Sequence, residues 1–473
     1  MSTTTLPPPD WTPRHNPWLI ALAIILPTFM EVLDTTIVTV ALNHIAGSLS
    51  ATSEEATWVL TSYLISNAVI LPASGWLSSM FGRKRFLMSC VAIFTISSFF
   101  CGFAPSLPIL IVARVVQGAG GGALQPLSQA ILLESFPPRK RGMAMAAFGL
   151  GVVIAPILGP TLGGWITDNY TWPWVFYINI PTGMVALFFI QRFIEDPPYI
   201  RAARPTSIDS IGFGLMALWL GTLQIVLDKG QQEDWFHSEW ITILFCTSMA
   251  AMLIFITWEL WYAEHPIVDL RVLRNRNFAV GTLLVGTVGI VLYATGSLQP
   301  MFLQSMLGYS AFDTGLCFSP RGLASLMTMP IVGALVGRID ARRLVMAGFL
   351  LFSIGSFQLQ NLNLEISMSS VILPNMLQGC GLACMFVPIS VVAMSQLEQH
   401  AIGNASGIYN LSRNLGGSIG ISLITTFFIR NTQVQQAQLV AHMTPYDPAY
   451  AMKLSRTTQM METYVGHAQA PQN

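Results

Sequence analysis

Charged residues are scarce in this sequence of 473 residues: they make up 10%, whereas hydrophobic residues make up 53%. A soluble domain carries about 25% charged residues, so this chain cannot cover a water-facing surface of ordinary size. The few charges also balance, with 23 basic and 23 acidic side chains. Such a chain lacks the basic excess that nucleic-acid binding requires. The composition therefore predicts a chain that uses the lipid bilayer as its solvent and has no nucleic-acid partner.

Signatures of enzymes, metal sites and cofactor sites are also missing. The chain has no GxxxxGK[ST] phosphate loop, no HExxH zinc motif and no GxSxG nucleophile motif. Its six cysteines contain no CxxC pair, and its seven histidines have no metal-ligand spacing. We therefore expect no metal, no cofactor and no enzymatic activity, and we expect an ion gradient rather than ATP as the source of energy.

Thirteen runs of the sequence are long and apolar enough to cross a bilayer as helices, which takes about 20 residues. Six of them lie at Leu19–Leu42, Trp58–Met80, Phe86–Phe103, Leu107–Leu127, Met143–Ile166 and Val175–Phe193. The other seven lie at Ile211–Leu227, Trp240–Trp261, Phe278–Phe302, Gly315–Val336, Leu344–Leu362, Ile366–Met394 and Ile408–Ile429. The sequence thus predicts an all-α membrane protein.

Basic residues in the loops predict which side each loop faces, because Lys and Arg concentrate in cytoplasmic loops. If the tail of residues 1–18 is cytoplasmic, it and the loops on that side hold sixteen basic residues. The opposite loops, as far as the thirteenth helix, hold only Lys229. One missed or false helix would move every later loop to the other side, so this asymmetry supports the count. We expect a cytoplasmic N-terminus in the inner (plasma) membrane.

The fourth and twelfth predicted helices share a Gln-Gly-x-Gly element, at Gln117 and at Gln378, which lie 261 residues apart. The same offset takes Gly142 onto Gly403. A second pair of similar segments begins at residues 75 and 333 and is offset by 258 residues. Two similar units therefore recur in the same orientation, eight predicted helices apart.

The simplest arrangement that explains the repeat is two halves with two helices inserted between them. The predicted divisions are a cytoplasmic tail at 1–18, a six-helix half at 19–205, two inserted helices at 206–265, a second half with five predicted helices at 266–430 and a polar tail at 431–473. Parallel halves of this kind are typical of transporters that rock about a central site and expose it to each side in turn.

Five segments resemble the motifs of one transporter family. The first predicted helix contains LDTTIVTVAL at Leu33–Leu42, and the loop after the second contains Gly75, Leu77, Gly82, Arg83 and Lys84 of a G-x-L-x-D-r-x-G-r-k pattern. The fourth helix has Arg114, Gln117 and Gly118 of R-x-x-Q-G, the fifth has APILGPTLGG from Ala155 to Gly164, and the thirteenth has YNLSRNLGGSIGIS from Tyr409. In this order they resemble the fourteen-helix drug:proton antiporters of the major facilitator superfamily, in particular the EmrB/QacA group.

The resemblance implies a major facilitator fold of two pseudo-symmetric six-helix halves plus two inserted helices. It also implies proton-driven export of hydrophobic or amphipathic small molecules, that is, multidrug efflux. If the source is Gram-negative, it implies a periplasmic adaptor and an outer-membrane channel as partners. Two other functions stay open: export of a single endogenous metabolite, and a non-transporting sensor or truncated inactive remnant.

The sequence departs from the family pattern in three places. The loop motif has Ser79 where an acid is usual, and the first-helix motif has Thr39 and Asn43 where Asn and Pro are common. After Arg430 come 43 polar residues with no apolar run, so the fourteenth helix that the resemblance implies is not predicted. We expect the charged contacts of the loop to be weakened or to differ from those of the family, and the C-terminal tail to lie outside.

Ionisable residues inside a bilayer are costly and are therefore functional candidates. Glu31 and Asp34 lie three residues apart on one face of the first predicted helix, and Arg114 lies in the fourth. Burial favours a neutral carboxyl group and a nearby arginine favours the carboxylate, and a proton site needs these effects opposed. We predict that Asp34 binds the proton and that Arg114 tunes it, with a static ion pair as the alternative. Glu31 either shares this task or faces the substrate cavity.

Other candidate residues follow from the repeat and from the family motifs. The second-half equivalent of Arg114 is the uncharged Asn375, which favours a proton pathway confined to the first half. Residues predicted to contact the substrate or line its cavity are Gln117, Gln378, Asn410 and Arg413. Residues predicted to serve gating and close helix packing are Gly75, Gly82, Arg83, Gly118, Ala155, Pro156, Gly159, Pro160, Gly163 and Gly164.

Overall fold

The computed structural model describes residues 13–197, 209–360, 366–442 and 448–465, and these are largely helical with no strand among them. The first helices are α1 (Pro17–Ser48), α2 (Ser53–Phe81), α3 (Arg83–Gly102), α4 (Leu107–Gly121), α5 (Leu124–Ser135), α6 (Arg141–Asn169), α7 (Trp174–Tyr177) and α8 (Asn179–Phe193). They are followed by α9 (Ser210–Lys229), α10 (Glu239–Thr257), α11 (Arg276–Ser305), α12 (Ala311–Leu335), α13 (Ala341–Leu359), α14 (Ile372–Met394), α15 (Ile402–His442) and α16 (Pro448–Val465).

Each of the thirteen predicted spans coincides with helix in the structure, since α4 with α5 and α7 with α8 each make up one span. Within the described residues, ten spans are long and apolar enough to cross a membrane by themselves. The spans of α12, α13 and α15 are not among these ten, and two of them carry buried arginines, Arg321 and Arg413. The predicted all-α membrane fold is confirmed.

Several helix boundaries differ from the prediction, and the thirteenth predicted helix, for example, continues to His442 rather than ending at Ile429. The fourth span continues as α5 to Ser135 rather than ending at Leu127, because its buried polar residues are satisfied by neighbouring helices and not by water. The twelfth span becomes α-helical only at Ile372, after the 3-10 turn Met368–Val371. Just before this turn the hydroxyl of Ser367 bonds to those of Ser369 and Ser370, and local side-chain bonds of serine compete with helix. The predicted end of the eleventh span at Leu362 lies outside the described residues.

Local sequence explains where the first two helices begin. The side chain of Asn16 accepts a hydrogen bond from the backbone of Trp18 at 3.0 Å, and a proline follows at the first helical position. Thr52 and Glu55 form a reciprocal capping box at the start of α2, with bonds of 3.2 and 2.9 Å. These caps satisfy backbone donors that would otherwise lie unpaired at a membrane boundary.

The two halves repeat each other's helix packing. A Cβ atom at Gly118 of α4 would lie 2.4 Å from the carbonyl oxygen of Tyr63 in α2. A Cβ atom at Gly379 of α14 would lie 2.2 Å from that of Arg321 in α12. The two glycines are 261 residues apart and the two acceptors 258, which are the offsets of the sequence repeats. The repeated sequence therefore encodes the same close backbone approach twice, and only glycine permits it.

Close backbone contacts join the two halves at two helix pairs, α2 with α15 and α6 with α12. A Cβ atom at Gly75 would lie 2.7 Å from the Cα atom of Asn404, next to Gly403. A Cβ atom at Gly142 would lie 2.4 Å from the carbonyl oxygen of Gly333. Since the sequence repeat relates 75 to 333 and 142 to 403, a pseudo-two-fold axis relates the two contacts. Both lie at the end of the bundle that carries the basic loops.

The inserted helices α9 and α10 pack against each other, and α9 also packs against α2. The hydroxyl of Ser418 in α15 donates to the side-chain oxygen of Gln224 in α9 at 3.1 Å, so α9 contacts a helix of each half. By its internal contacts the chain divides into two compact units after Ser422. The second unit begins at Leu423 and includes α16, whose residues 451–457 are exposed.

Candidate functional site: buried polar networks between the helices

Asp34 lies on α1 with its side chain fully buried and accepts bonds from three side chains. Nη1 of Arg114 lies 2.6 Å from Oδ2, while the amides of Gln117 and Asn179 donate to Oδ1 at 3.0 and 2.8 Å. Three donors around one carboxyl group stabilise its ionised form. The structure therefore pairs Asp34 with Arg114 and places Gln117 in the same network.

Arg114 is itself held from several directions. Its Nε donates to the carbonyl oxygen of Val59 at 3.0 Å, and Nη1 donates to Gln117 Oε1 at 2.8 Å. The guanidinium lies 4.2 Å from the ring centroid of Tyr63 and 5.6 Å from that of Phe176, in reach of cation–π attraction. Nη2 has no partner among the described residues. The guanidinium is thus positioned by α2, α4 and α7, and its Nη2 could still donate a hydrogen bond.

Glu31 forms a second network one turn away on α1. Asn67 donates to its Oε1 at 3.1 Å, and Gln125 donates to its Oε2 at 2.5 Å, while the Tyr63 hydroxyl lies 3.4 Å from Oε1. Glu31 belongs to none of the ion pairs found among the described residues. Within the part of the chain that the structure describes, the hydrogen bonds to this buried carboxyl group therefore come from neutral donors, in contrast to those of Asp34.

Two side-chain contacts join these networks to the second half. Gln125 of α5 accepts a hydrogen bond from Nη2 of Arg413 in α15, so one amide connects Glu31 to Arg413. One turn further along α5, Gln129 accepts a bond of 2.6 Å from Asn410. Both contacts cross the interface between the halves. The structure therefore places Arg413 and Asn410 at the junction on which any rocking motion must act.

Gln378 lies apart from this junction. Its amide nitrogen donates to the hydroxyl of Ser356 in α13 at 3.2 Å, and its oxygen has no partner among the described residues. The neighbouring polar residue Asn375 also bonds within the second half, where its side-chain nitrogen donates to the carbonyl oxygen of Cys317 at 2.9 Å. The structure thus brings Gln378 together with none of the other predicted cavity residues.

The loop after α2 is fixed by charged contacts. The guanidinium of Arg83 pairs with the carboxylate of Glu134 at the end of α5, and both side chains are buried. The backbone nitrogen of Lys84 donates to Asp196 at 2.8 Å. Ser79, which stands where the family has an acid, donates to the carbonyl oxygen of Trp76 in its own helix at 2.7 Å. Glu134 and Asp196 therefore supply the acidic contacts that Ser79 does not.

The small residues of α6 pack against α1, the helix that carries both carboxylates. A Cβ atom at Gly159 would lie 2.1 Å from Thr36 Oγ1, and one at Gly163 would lie 3.0 Å from Ile37 Cγ1. Ala155 is fully buried in a small apolar cluster with α1. Pro156 and Pro160 lie inside α6, and Gly164 follows in the same helix. This stripe sets how closely α6 can approach the carboxylate helix.

Sequence reasoning missed three partners in these networks. Asn179 and Gln125 are neutral amides, and a search for ionisable residues inside the membrane passes over them. Glu134 was missed because the predicted fourth span stopped before it. The position of these amides within apolar spans was a signal that could have indicated them, because a buried amide needs a hydrogen-bond partner.

The chain matches known proteins over most of its length. The model of the Major Facilitator Superfamily matches residues 24–421. The Multidrug export protein EmrB of Haemophilus influenzae is 39% identical over 432 residues, covering 91% of this chain and 84% of that protein. The Multidrug export protein EmrB of Escherichia coli is 38% identical over 433 residues, with the same two coverages of 91% and 84%. The Fatty acid resistance protein FarB of Neisseria gonorrhoeae is 38% identical over 427 residues, covering 90% and 84%.

Solved structures show the same fold at low sequence identity. The proton:xylose symporter XylE superposes with a TM-score of 0.62 at 16% identity, covering 90% of each chain. The human organic anion transporter MFSD10 superposes with a TM-score of 0.62 at 14% identity, covering 87% of this chain and 93% of that one. At these identities the likeness concerns the fold alone.

Proposed function

The chain belongs to the major facilitator superfamily, in the branch of the EmrB-type exporters, and from this premise we propose that it is a proton-driven antiporter. Its substrates are hydrophobic or amphipathic small molecules, which it exports by alternating access. The observation that carries the proposal is the buried ion pair of Asp34 and Arg114. An ion pair without water is costly unless it has a task or excellent geometry, and inside a bilayer such groups mark ion pathways.

Asp34 is the proposed proton site. In the structure its carboxyl group accepts hydrogen bonds from Arg114, Gln117 and Asn179. A proton on Asp34 would cancel the attraction for Arg114, which keeps its bond to the carbonyl oxygen of Val59. Proton binding would thereby loosen α1 from α4 and α8. Glu31 is the second candidate, because it links α1 to the junction between the halves through Gln125.

The orientation and partners of the protein are part of the same proposal. The integral membrane protein lies in the inner membrane with its N-terminus in the cytoplasm, as the distribution of basic residues favours. The contacts of Gly75 and Gly142 between the halves then close the cytoplasmic side. A periplasmic adaptor and an outer-membrane channel rest on the family resemblance, and co-purification of an adaptor with the tagged chain in a Gram-negative host tests them.

Substrate uptake into inverted membrane vesicles tests the proposal. Vesicles with an acidic interior are mixed with a panel of fluorescent amphipathic compounds that differ in charge and shape, and uptake is followed as the pH gradient is imposed. The parent chain is compared with Asp34→Asn and with Asp168→Asn, which makes the same chemical change at an exposed residue. We expect Asp34→Asn to lose at least about 90% of the gradient-driven uptake and Asp168→Asn to retain it.

The outcomes separate the candidate functions. Uptake of several unrelated compounds supports multidrug export, and uptake of one compound alone supports a dedicated exporter. If Asp34→Asn responds to the gradient as the parent does, the proton site is not Asp34. If the folded, inserted parent moves no compound of the panel and releases no protons, the antiporter proposal is wrong.

A further inference from the structure

Arg321 is a buried cation in the middle of α12, and it is only 4% exposed. Its two terminal nitrogens both lie 3.3 Å from the hydroxyl oxygen of Thr295 in α11, and its guanidinium carbon lies 5.6 Å from the ring centroid of Phe352 in α13. Among the described residues it belongs to no ion pair. Hydrogen bonds from N–H to oxygen usually measure about 2.7–3.2 Å, so these contacts are long. A neutral hydroxyl and a ring also leave the charge itself without a counter-charge, which is costly in a buried site.

The helices around Arg321 offer it no acidic partner. α11, α13 and α14 contain neither Asp nor Glu. The one acid of α12 is Asp313, which lies eight residues before Arg321, or about 12 Å along the helix. Its carboxylate accepts a bond of 2.7 Å from the hydroxyl of Ser310 at the start of that helix. An arginine does not lose its proton inside a protein, so the charge of Arg321 persists despite its burial.

The repeat shows which residue of the first half corresponds to Arg321. Tyr63 lies 258 residues before it, and Phe94 lies 258 residues before Phe352. The rings of Tyr63 and Phe94 are in edge contact with their centroids 6.5 Å apart, as the guanidinium of Arg321 contacts the ring of Phe352. The two positions are therefore equivalent in structure as well as in sequence.

In the first half an acid lies beside this position. The hydroxyl of Tyr63 lies 3.4 Å from Oε1 of Glu31. The Val-Leu pair that follows Glu31 recurs after Ile290, at an offset of 259 residues. The second half thus has an apolar residue where the first half has a carboxyl group, although it has a cation where the first half has a phenol. The negative charge is missing on the side of the protein that needs it more.

A second buried polar group lies on the face of α11 that Arg321 contacts. Gln299 is 7% exposed, and neither atom of its amide has a hydrogen-bond partner among the described residues. It follows Thr295 by four residues, which places the two side chains on the same face of the helix. Buried amides are almost always bonded, so an amide without a partner calls for an explanation. Its nitrogen is a donor that an anion beside Arg321 would use.

We propose that Arg321 binds a small monovalent inorganic anion of the size of chloride, held between α11 and α12. The anion takes the place that the carboxyl group of Glu31 has in the first half. Arg321 supplies the opposite charge, and the amide of Gln299 supplies a neutral donor. A divalent anion such as sulfate would leave one negative charge buried without a partner, so we expect the site to reject it. The inference goes beyond the proposed function and does not depend on the direction or the energy source of transport.

Thermal unfolding of the full-length protein in detergent tests the proposal. Sodium gluconate is replaced stepwise by sodium chloride at constant ionic strength, so that general screening does not change. An ion that binds the folded state alone raises the midpoint of unfolding. We expect the midpoint of the parent to rise by at least about 2 °C and then to level off. Bromide should act like chloride, and sulfate should have no such effect.

Variants decide whether Arg321 is responsible. Arg321→Gln should abolish the rise with chloride, and Arg321→Lys should keep part of it as a point charge. Arg413→Gln is the matched control, because Arg413 is also a buried arginine of the second half but interacts electrostatically with Glu31. This control should keep the rise. Elution volume confirms that each variant is folded.

A second measurement locates the ion without any variant. Crystals of the parent grown in sodium bromide should show an anomalous peak beside the guanidinium of Arg321. The inference is wrong if this peak is absent, if chloride and gluconate give the same midpoint, or if folded Arg321→Gln keeps the full rise. Equal loss of the rise in Arg413→Gln would also contradict it, because the effect would then not be specific to the cation that lacks an acid.

Discussion

Asn375 occupies in the second half the position that Arg114 occupies in the first. Its side-chain nitrogen donates to the carbonyl oxygen of Cys317 at 2.9 Å, and Nε of Arg114 donates to that of Val59 at 3.0 Å. The two acceptors are 258 residues apart, which is an offset of the sequence repeat. One hydrogen bond is thus kept in both halves, while the cation and its acid partner Asp34 occur in the first half alone.

This asymmetry predicts that the two positions differ in function although they share a structural bond. Arg114→Gln removes the counter-charge of Asp34 and should reduce gradient-driven uptake in inverted vesicles to below about a tenth of the parent rate. Asn375→Ala removes only the bond to Cys317. It should cost about 1 kcal/mol of stability and leave the pH response within about twofold of the parent.

One outcome of comparing Arg114→Gln with Asn375→Ala would contradict this prediction. If both variants lose the pH response by the same factor while both remain folded, the shared backbone bond matters and the charge does not. Arg114 would then be an element of helix packing, and the pairing with Asp34 would be a static one.

Gly82 is a position where the backbone conformation favours glycine over any other residue. Its φ of +88° places it in a region that side chains rarely adopt, and a Cβ atom there would lie 3.0 Å from Asp196 Oδ2. Gly82→Ala should therefore lower the free energy of unfolding by about 1–3 kcal/mol, measured as a lower thermal midpoint in detergent. Gly214→Ala is the control, because a Cβ atom in that helix meets nothing within 4 Å and alanine favours helix. Equal midpoints for the two variants would contradict this account.

The fold could be predicted well from the sequence because a bilayer demands long apolar helices and a duplicated chain repeats its packing glycines. The offset between Gln117 and Gln378 is an example, since the structure shows the following glycines in equivalent close contacts. The rule that intramembrane charges are costly also identified Asp34 and Arg114, which the structure brings to 2.6 Å. The repeated glycine contacts and the contact between Asp34 and Arg114 both follow from strong, local physical constraints.

The junction between the halves could not be predicted in the same way. Gln125 is a neutral amide, and its importance lies in bonding to Glu31 and Arg413, which come from helices far apart in the sequence. No periodicity or charge rule encodes such a three-way contact. The broken fourth span adds to the difficulty, because the interruption between α4 and α5 changes which face of the span each amide occupies.

The paired glycine contacts between the halves predict how the cytoplasmic side opens. Gly142→Val would force a side chain against the backbone of Gly333 and should disfavour the closed arrangement. In a background without native cysteines, Ser78→Cys reports on this closure, because Ser78 is 2% exposed beside the contact of Gly75. We expect a polar maleimide to label it at least about tenfold faster when Gly142→Val is present. Gly221→Val, whose Cβ meets only a side-chain methyl at 3.5 Å, should leave the labelling rate unchanged.

The buried pair of Arg83 and Glu134 predicts strong coupling between the loop after α2 and the end of α5. Removing one partner leaves the other charge buried, so Arg83→Gln and Glu134→Gln should each lower the free energy of unfolding by about 3–5 kcal/mol. The double variant removes both members of the pair and should be less destabilised than the sum of the two by about 0.5–3 kcal/mol. Thermal or denaturant unfolding of the four proteins gives this coupling energy. Additive effects would mean that the two side chains stabilise the loop independently, and that the contact between them contributes nothing of its own.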